Sequence, residues 1–441
     1  MGTVGVAVFA YQGLRVSLND GRLALAPVPC DHLSPLYSVE TVGEFPELVV
    51  SLVCDRAGPN SHLLYAGTRG DGGIYRFSPR SPFPNSPIIP STGDQPTFGT
   101  SAVSMLALRD FDRDGEDELI ALTSQESPRG QSRAYVHSLN KSLQMMTYAD
   151  IKSSWPHGIA FVRDIFGRPT FLSAYCGFGE IVEFRLFERK TAAGFHAKGL
   201  ESRQLGKVEA SGEQIASADL FGQGTNILVS RGFKFNFAAI EIFARDRQTP
   251  FAQAKPSAVG LGWARRIEIR ENDQFGNVRF LVGKSRDGLR DVYAWWCVGL
   301  ADGETEFVHY RLDSGGIVER RSATLGPAHD YWPEENRILL IDADGDSRDE
   351  IYFSGRAGKF WRYDLGLEDP SATDAAKLPP PSLIASFPAG CGPLAAGPRQ
   401  LKGVRPLYVG VNAHVVKLTP QPAPTSNLPS DSEDPTTASD L

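Results

Sequence analysis

One unit recurs along this chain: a short apolar strand, an aspartate-bearing turn, a second apolar strand, and a third strand rich in aromatic residues. Its first strands read ELVVSLVCD from Glu47, SAVSMLALRD from Ser101, HGIAFVRD from His157, EQIASAD from Glu213, ARRIEIREND from Ala264, NRILLID from Asn336 and PLAAGP from Pro393. A unit this small cannot bury its own apolar faces, so successive units must stack on one another. The spacing is about 50 to 60 residues, with one interval near ~70 that carries GLADGETEFVHYRLDSGG, and that period suits one four-stranded blade. The 44 glycines and 31 prolines punctuate short β-rich runs, and long amphipathic helical patterns are missing. The sequence therefore predicts an all-β fold: a single β-propeller of about seven four-stranded blades over residues 1–420. VGVAVFA and LRVSLN near the N-terminus are expected to supply the outer strand that closes the ring against the last blade, VRPLYVGVNAHVVKLT. The acidic segment 421–441 has no apolar face to bury and is expected to be a disordered tail.

Charge and motif content exclude several classes. Of the net charge of −7, Asp431, Glu433, Asp434 and Asp440 fall in the tail, so the folded body is close to balanced and offers no basic stripe for nucleic acid. No run approaches the ~18 apolar residues of a membrane span. The start lacks a basic region ahead of its apolar residues, so a cytoplasmic location is expected. Cys30, Cys54, Cys176, Cys297 and Cys391 are scattered without a CxxC pair and read as small buried hydrophobes. There is no GxGxxG opening a helix, no P-loop, no HExxH and no GxSxG, so no organic cofactor is expected.

Two turns stand out: Asp110-Phe-Asp112-Arg-Asp114-Gly-Glu-Asp-Glu118 and Asp342-Ala-Asp344-Gly-Asp346-Ser-Arg-Asp-Glu350. Carboxylates at alternate positions of a tight turn converge on one point, where a hard cation offsets their repulsion, so structural calcium or magnesium is expected at both. Neither is an EF-hand, because a β-run follows each. In the counterparts at Asp164, Asp219 and Asp273 only one acid remains, and no metal is expected there. The two full turns resemble the FG-GAP/VCBS propeller turn, D-x-D-x-D-G-x-x-[DE] followed by an apolar strand. More broadly, Glu306-Phe-Val-His-Tyr-Arg-Leu-Asp313, His329 ahead of the Asp342 turn, and Trp155-Pro-His157-Gly are similar to segments in the propeller part of fungal aldos-2-ulose dehydratase-type lyases. Those enzymes are longer and carry further β-domains.

In a propeller the residues just before the first strands converge on the mouth of the central channel, where a ligand can sit. Those positions hold Trp155, His157, Glu213, Gln214, Trp263, Arg265, His329, Tyr331, Trp332 and Glu334. The set suits an oxygenated or ring-bearing small molecule. His157 and His329 are the candidates for proton transfer, Glu213 for orienting or acid/base work, and Arg265 for holding an oxyanion. Trp155, Trp263, Tyr331, Trp332, Gln214 and Glu334 are the candidates for binding substrate, whereas Trp295 and Trp296 are assigned to packing between blades. Two histidines and a carboxylate leave a catalytic metal open. The expected activity is lyase or isomerase chemistry: proton abstraction beside a carbonyl, then loss of water or ring closure. A cyclase that pre-folds a reactive intermediate is the alternative. A carbohydrate-binding or scaffold propeller is the other class, although no sugar pocket repeats from blade to blade. The chain is expected to be a monomer or small homo-oligomer.

Overall fold

A computed structural model describes residues 16–19, 22–55, 63–70, 73–79, 101–111, 113–125, 132–138, 145–151, 155–164, 166–175, 179–190, 196–208, 211–222, 224–233, 236–246, 253, 255–271, 276–286, 289–298, 303–365, 377–400 and 403–421. The tail assigned to 421–441 lies outside these residues beyond Gln421. Antiparallel sheets follow one another in chain order, and their first strands are Val49–Cys54, Ser101–Arg109, Pro156–Arg163, Ser211–Ala218, Gly276–Arg286, Ile338–Ile341 and Leu394–Ala396. Each first strand packs beside the next, and Leu394–Ala396 packs back on Val49–Cys54, which closes a ring. The fold is an all-β propeller of seven blades, numbered here in the order of those strands. Three strands of blade 1 are described, and it joins blade 2 where Arg69 and Gly70 pair with Ala102 and Ser101. No helix among the described residues is long and apolar enough to cross a membrane.

The core is not central. Seven apolar clusters among the described residues fill the seven interfaces between adjacent blades. A middle strand has an interface on each side, so it reads as a continuous apolar run rather than an alternating one. Leu119 to Leu122 are all fully buried: Ile120 and Leu122 pack toward blade 3, Leu119 and Ala121 toward blade 1. Trp295 and Trp296 behave likewise in blade 5, the first packing toward blade 6 with its ring 5.4 Å from Phe353, the second toward blade 4. Burying such a side chain stabilises by about 2–3 kcal/mol.

Two sequence expectations are corrected. The strand that closes blade 7 is Tyr37–Glu44, paired along His414–Pro420. VGVAVFA lies outside the described residues, and Val16–Asn19 pairs instead with Arg22–Leu25. An outer strand needs one apolar row and one polar row. YSVETVGE supplies both over its first half, where Tyr37 and Val39 pack toward blade 6 and Ser38 and Glu40 are exposed; a register shift then turns Val42 toward blade 1. The residues from Ala264 are likewise not an inner strand: Trp263–Ile269 is the outermost strand of blade 4, with Arg265 and Arg266 exposed. The inner strand of blade 5 is Gly276–Arg286, where Val278 and Phe280 are fully buried. The long interval thereby disappears, and Glu304–Asp313 is an ordinary third strand rather than an insertion.

His137, in the third strand of blade 2, is buried and neither ring nitrogen has a hydrogen bond among the described residues. Burial holds its pKa down at about 4. Below the unfolded value near 6.5 the unfolded chain binds the proton first, so stability is lost as pH falls from about 6.5 to about 4. His137→Leu is expected to flatten this acid-side loss by about 3 kcal/mol, read as the difference between variant and parent urea midpoints at pH 7 and pH 4.5.

Candidate functional site

The residues ahead of the inner strands gather at one end of the ring, but much of their bonding capacity is used within the chain. Glu213 is buried and sits 3.2 Å from Arg279 of blade 5, which also donates to the Glu213 carbonyl and lies 5.9 Å from the Trp332 ring. The Gln214 amide clamps the blade 5 backbone, donating to the Phe280 carbonyl and accepting its N–H, both at 2.9 Å. Trp332 is buried, and Tyr331 stacks on Trp361 at 4.6 Å. Glu334 lies 3.2 Å from Arg337 and 3.5 Å from Arg356. His329 is exposed, 3.3 Å from Asp330, whose other oxygen holds Lys359 at 2.6 Å. Trp155 is exposed with a left-handed backbone (φ 59°), and His157 is half-buried in the inner strand of blade 3.

The mouth itself is stopped. The short turn Glu335–Arg337 carries Asn336 across the channel, where its amide donates to the carbonyls of Val50 and Ser104 on the inner strands of blades 1 and 2. The same turn packs against the inner strand of blade 3. Arg265 does not join this end: it is exposed on the outer strand of blade 4, 2.8 Å from Glu241 and 3.1 Å from Glu268. Trp263 belongs with the opposite end, because the strand it begins runs the other way.

That opposite face, which carries the aspartate turns, holds a cavity of about 340 Å³ between blades 2, 3 and 4. Arg109, Asp110, Phe111 and Arg113 line it from the end of one inner strand, and Phe161 and Arg163 from the end of the next. Arg245 and Trp263 line it from blade 4, with the Arg245 guanidinium 4.0 Å from the Trp263 ring centre. The Arg109 guanidinium lies 5.7 Å from Phe161. Trp263, expected from sequence at the mouth, instead lines this cavity at the other end of the ring. The four arginines and Phe161 were not in the sequence-derived set, yet a signal exists. Arg-Asp recurs at strand ends, at Arg109-Asp110, Arg163-Asp164 and Arg245-Asp246.

The two full aspartate turns share one design. In each, the last glutamate opens the second strand and accepts the N–H of the turn's second residue: Phe111 to Glu118 at 2.7 Å, Ala343 to Glu350 at 3.1 Å. The first aspartate accepts a glycine N–H, Gly115 to Asp110 at 3.3 Å and Gly345 to Asp342 at 2.8 Å. Burial pushes Glu118 up to about 7 and Glu350 up to about 8. Asp112 lies outside the described residues. In the second turn, ligand atoms of Asp342, Asp344, Asp346 and Glu350 all lie within 4.8 Å of one another. Glu350 Oε1 is buried and accepts no hydrogen bond among the described residues, with Arg362 3.6 Å away. Arg399 and Arg362 offset part of this charge, at 2.7 Å from Asp342 and 2.8 Å from Asp344. The single-acid turn at Asp164 instead binds Arg168 at 2.7 Å.

No protein-family model and no curated protein matches the chain. Among solved structures it is similar to BBS1N, from a complex with ARL6DN soaked with lead, at 10% identity and a TM-score of 0.46, covering 89% of this chain and 99% of that one. It is similar to apo ctPRC2 in an autoinhibited state at 8% identity and a TM-score of 0.49, covering 89% and 98%.

The two candidate charges differ in what their loss does. Removing one partner of a buried ion pair costs about 3–5 kcal/mol, and of an exposed pair less than about 1. Glu213→Ala is therefore expected to lower the urea midpoint strongly and Arg265→Ala barely to move it. Equal effects would show that Glu213 and Arg279 do not bind the blades together.

Proposed function

We propose that this protein binds a small molecule in the cavity between blades 2, 3 and 4, with the propeller as its rigid frame. One observation carries the proposal: a space of about 340 Å³ has aromatic walls and charged groups at one end of the ring, while the other end is stopped by Asn336. Clefts of a few hundred Å³ in which aromatic walls meet placed polar groups are the usual small-molecule sites, and this one is more strongly charged than most. Ring closure by pre-folding a substrate against Trp263 is the catalytic form of this reading. A second reading keeps lyase chemistry at the mouth, following the resemblance to aldos-2-ulose dehydratase-type enzymes. The chain of His329, Asp330 and Lys359 favours it, since a carboxylate 3.3 Å from the imidazole can orient the ring for proton transfer.

The dye 1-anilinonaphthalene-8-sulfonate distinguishes the two. One saturable site is expected, with quenching of tryptophan fluorescence, lost in Trp263→Leu and kept in His329→Ala. Binding that survives Trp263→Leu and falls in His329→Ala moves the site to the mouth.

We further propose that the Asp342 turn, of the FG-GAP/VCBS kind, holds calcium or magnesium as a clip between two strands. Asp342, Asp344, Asp346 and Glu350 would be its ligands. The convergence of their oxygens fits a hard cation, as does Glu350 Oε1, which accepts no hydrogen bond among the described residues and has Arg362 at 3.6 Å. Calcium at 100 times its Kd is expected to raise stability by about 2.7 kcal/mol. Asp346→Asn, at an exposed position without an ion pair among the described residues, should abolish that gain while folding normally. An unchanged melting temperature with either ion would leave Arg362 and Arg399 as the turn's counterions.

A further inference from the structure

We infer that the cavity between blades 2, 3 and 4 selects an anion: a small organic molecule bearing a phosphate or carboxylate group. The inference rests on that cavity being the ligand site and names the chemistry of its ligand. Arg109, Arg113, Arg163 and Arg245 line it against one aspartate, Asp110. Among the described residues, none of the four arginines has a carboxylate within ion-pair distance, whereas Arg231, Arg279, Arg320 and Arg362 elsewhere are all ion-paired.

Of the nearby acids, Asp164 and Glu183 are already engaged with arginines. Asp110 accepts the Gly115 N–H through one oxygen, and its other oxygen is buried without a hydrogen bond among the described residues, so it is the one acid that the four arginines outnumber. Asp164 holds Arg168 at 2.7 Å, and Glu183 holds Arg203 at 2.8 Å, with Arg185 between them at 3.8 and 3.7 Å. Donors, by contrast, are in surplus. A guanidinium carries five N–H groups. Arg245 donates to the Arg163 carbonyl and Arg163 to the Gly167 carbonyl at 2.9 Å, which leaves most of both forks uncommitted.

Arg245 is partly withdrawn from water against Trp263, and burial lowers its pKa despite the charges of Asp164 and Glu183. A cation in that position is costly unless an anion joins it. Arginine forks match the paired oxygens of phosphate and carboxylate, and flat aromatic walls beside them suit the organic remainder of such a ligand. On the rim, the turn between Arg163 and Pro169 exposes Phe166, 73% accessible, with the Arg168 guanidinium 5.1 Å from its ring.

The test is calorimetric titration of the full chain at low salt with inorganic pyrophosphate and, separately, citrate. Neutral N-phenyl-1-naphthylamine serves as a control for the walls. Saturable binding of at least one anion is expected, and whichever binds more tightly tells phosphate from carboxylate preference. Arg245→Met and Arg113→Gln are each expected to weaken it about tenfold, as loss of one charged hydrogen bond does. Arg113 is exposed on its turn, so its variant keeps the test valid if Arg245→Met fails to fold. Binding of the neutral dye should be unchanged in both. Absence of binding by both anions overturns the inference even where the neutral dye binds at Trp263. Anion binding without dye binding upholds it and removes only the aromatic-ligand part of the proposed function.

Discussion

Blade-on-blade packing is the interaction from which the rest follows. Seven apolar layers lie between the sheets, and a middle strand contributes to two of them at once. Its side chains are therefore spoken for on both faces, as Leu119 to Leu122 and the pair Trp295 and Trp296 illustrate. Polar chemistry is displaced to the strand ends, where turns emerge on the two faces of the ring. Any site in such a molecule must be assembled from those turns.

The two faces use their polar groups differently. At the mouth, charged and amide side chains bond across blade boundaries: Glu213 to Arg279, Gln214 to the Phe280 backbone, Asn336 to Val50 and Ser104. A buried pair of this kind gains little net stability over an apolar one but is costly to break. That cost holds the inner strands in register around the channel. On the turn face the four arginines that line the cavity have no carboxylate within ion-pair distance among the described residues, and two of them, Arg245 and Arg109, lie by the rings of Trp263 and Phe161. A ring face attracts a cation by about 0.5–2 kcal/mol, less than a carboxylate fully withdrawn from water would, so the arginines keep their capacity for an anion.

The all-β class, the blade period and six of the seven inner strands were legible because stacking imposes apolar runs at regular spacing. The fifth was missed for a physical reason. ARRIEI has the length and spacing of an inner strand, but its paired arginines belong on an edge. GNVRFLVG, a dozen residues later, carries the double-sided burial that an inner strand needs. Misplacing that strand brought Arg265 to the mouth, whereas the pairing of Ala264 with Ala244 and Arg265 with Phe243 fixes it on the outside of blade 4. The ring's closure was legible in kind but not in place, since several N-terminal runs could be an outer strand and only pairing chooses Tyr37–Glu44.

Apart from Trp263 and Arg265, the mouth set was legible as residues but not as chemistry. Sequence shows which side chains precede the inner strands; it does not show whether they face a ligand or each other. Glu213 and Arg265 make the point, because both are charged residues at comparable positions in the repeat as read from the chain. One is buried against Arg279 and the other exposed beside Glu241 and Glu268. The recurring Arg-Asp pairs show the converse. Each looks like a self-neutralising dipeptide, yet in a strand successive side chains point to opposite faces. At Arg163-Asp164 the aspartate accordingly turns to Arg168 and Arg185 while the arginine lines the cavity. Strand geometry thus separates Arg163 from Asp164, which the sequence places side by side, and leaves the guanidinium facing the cavity.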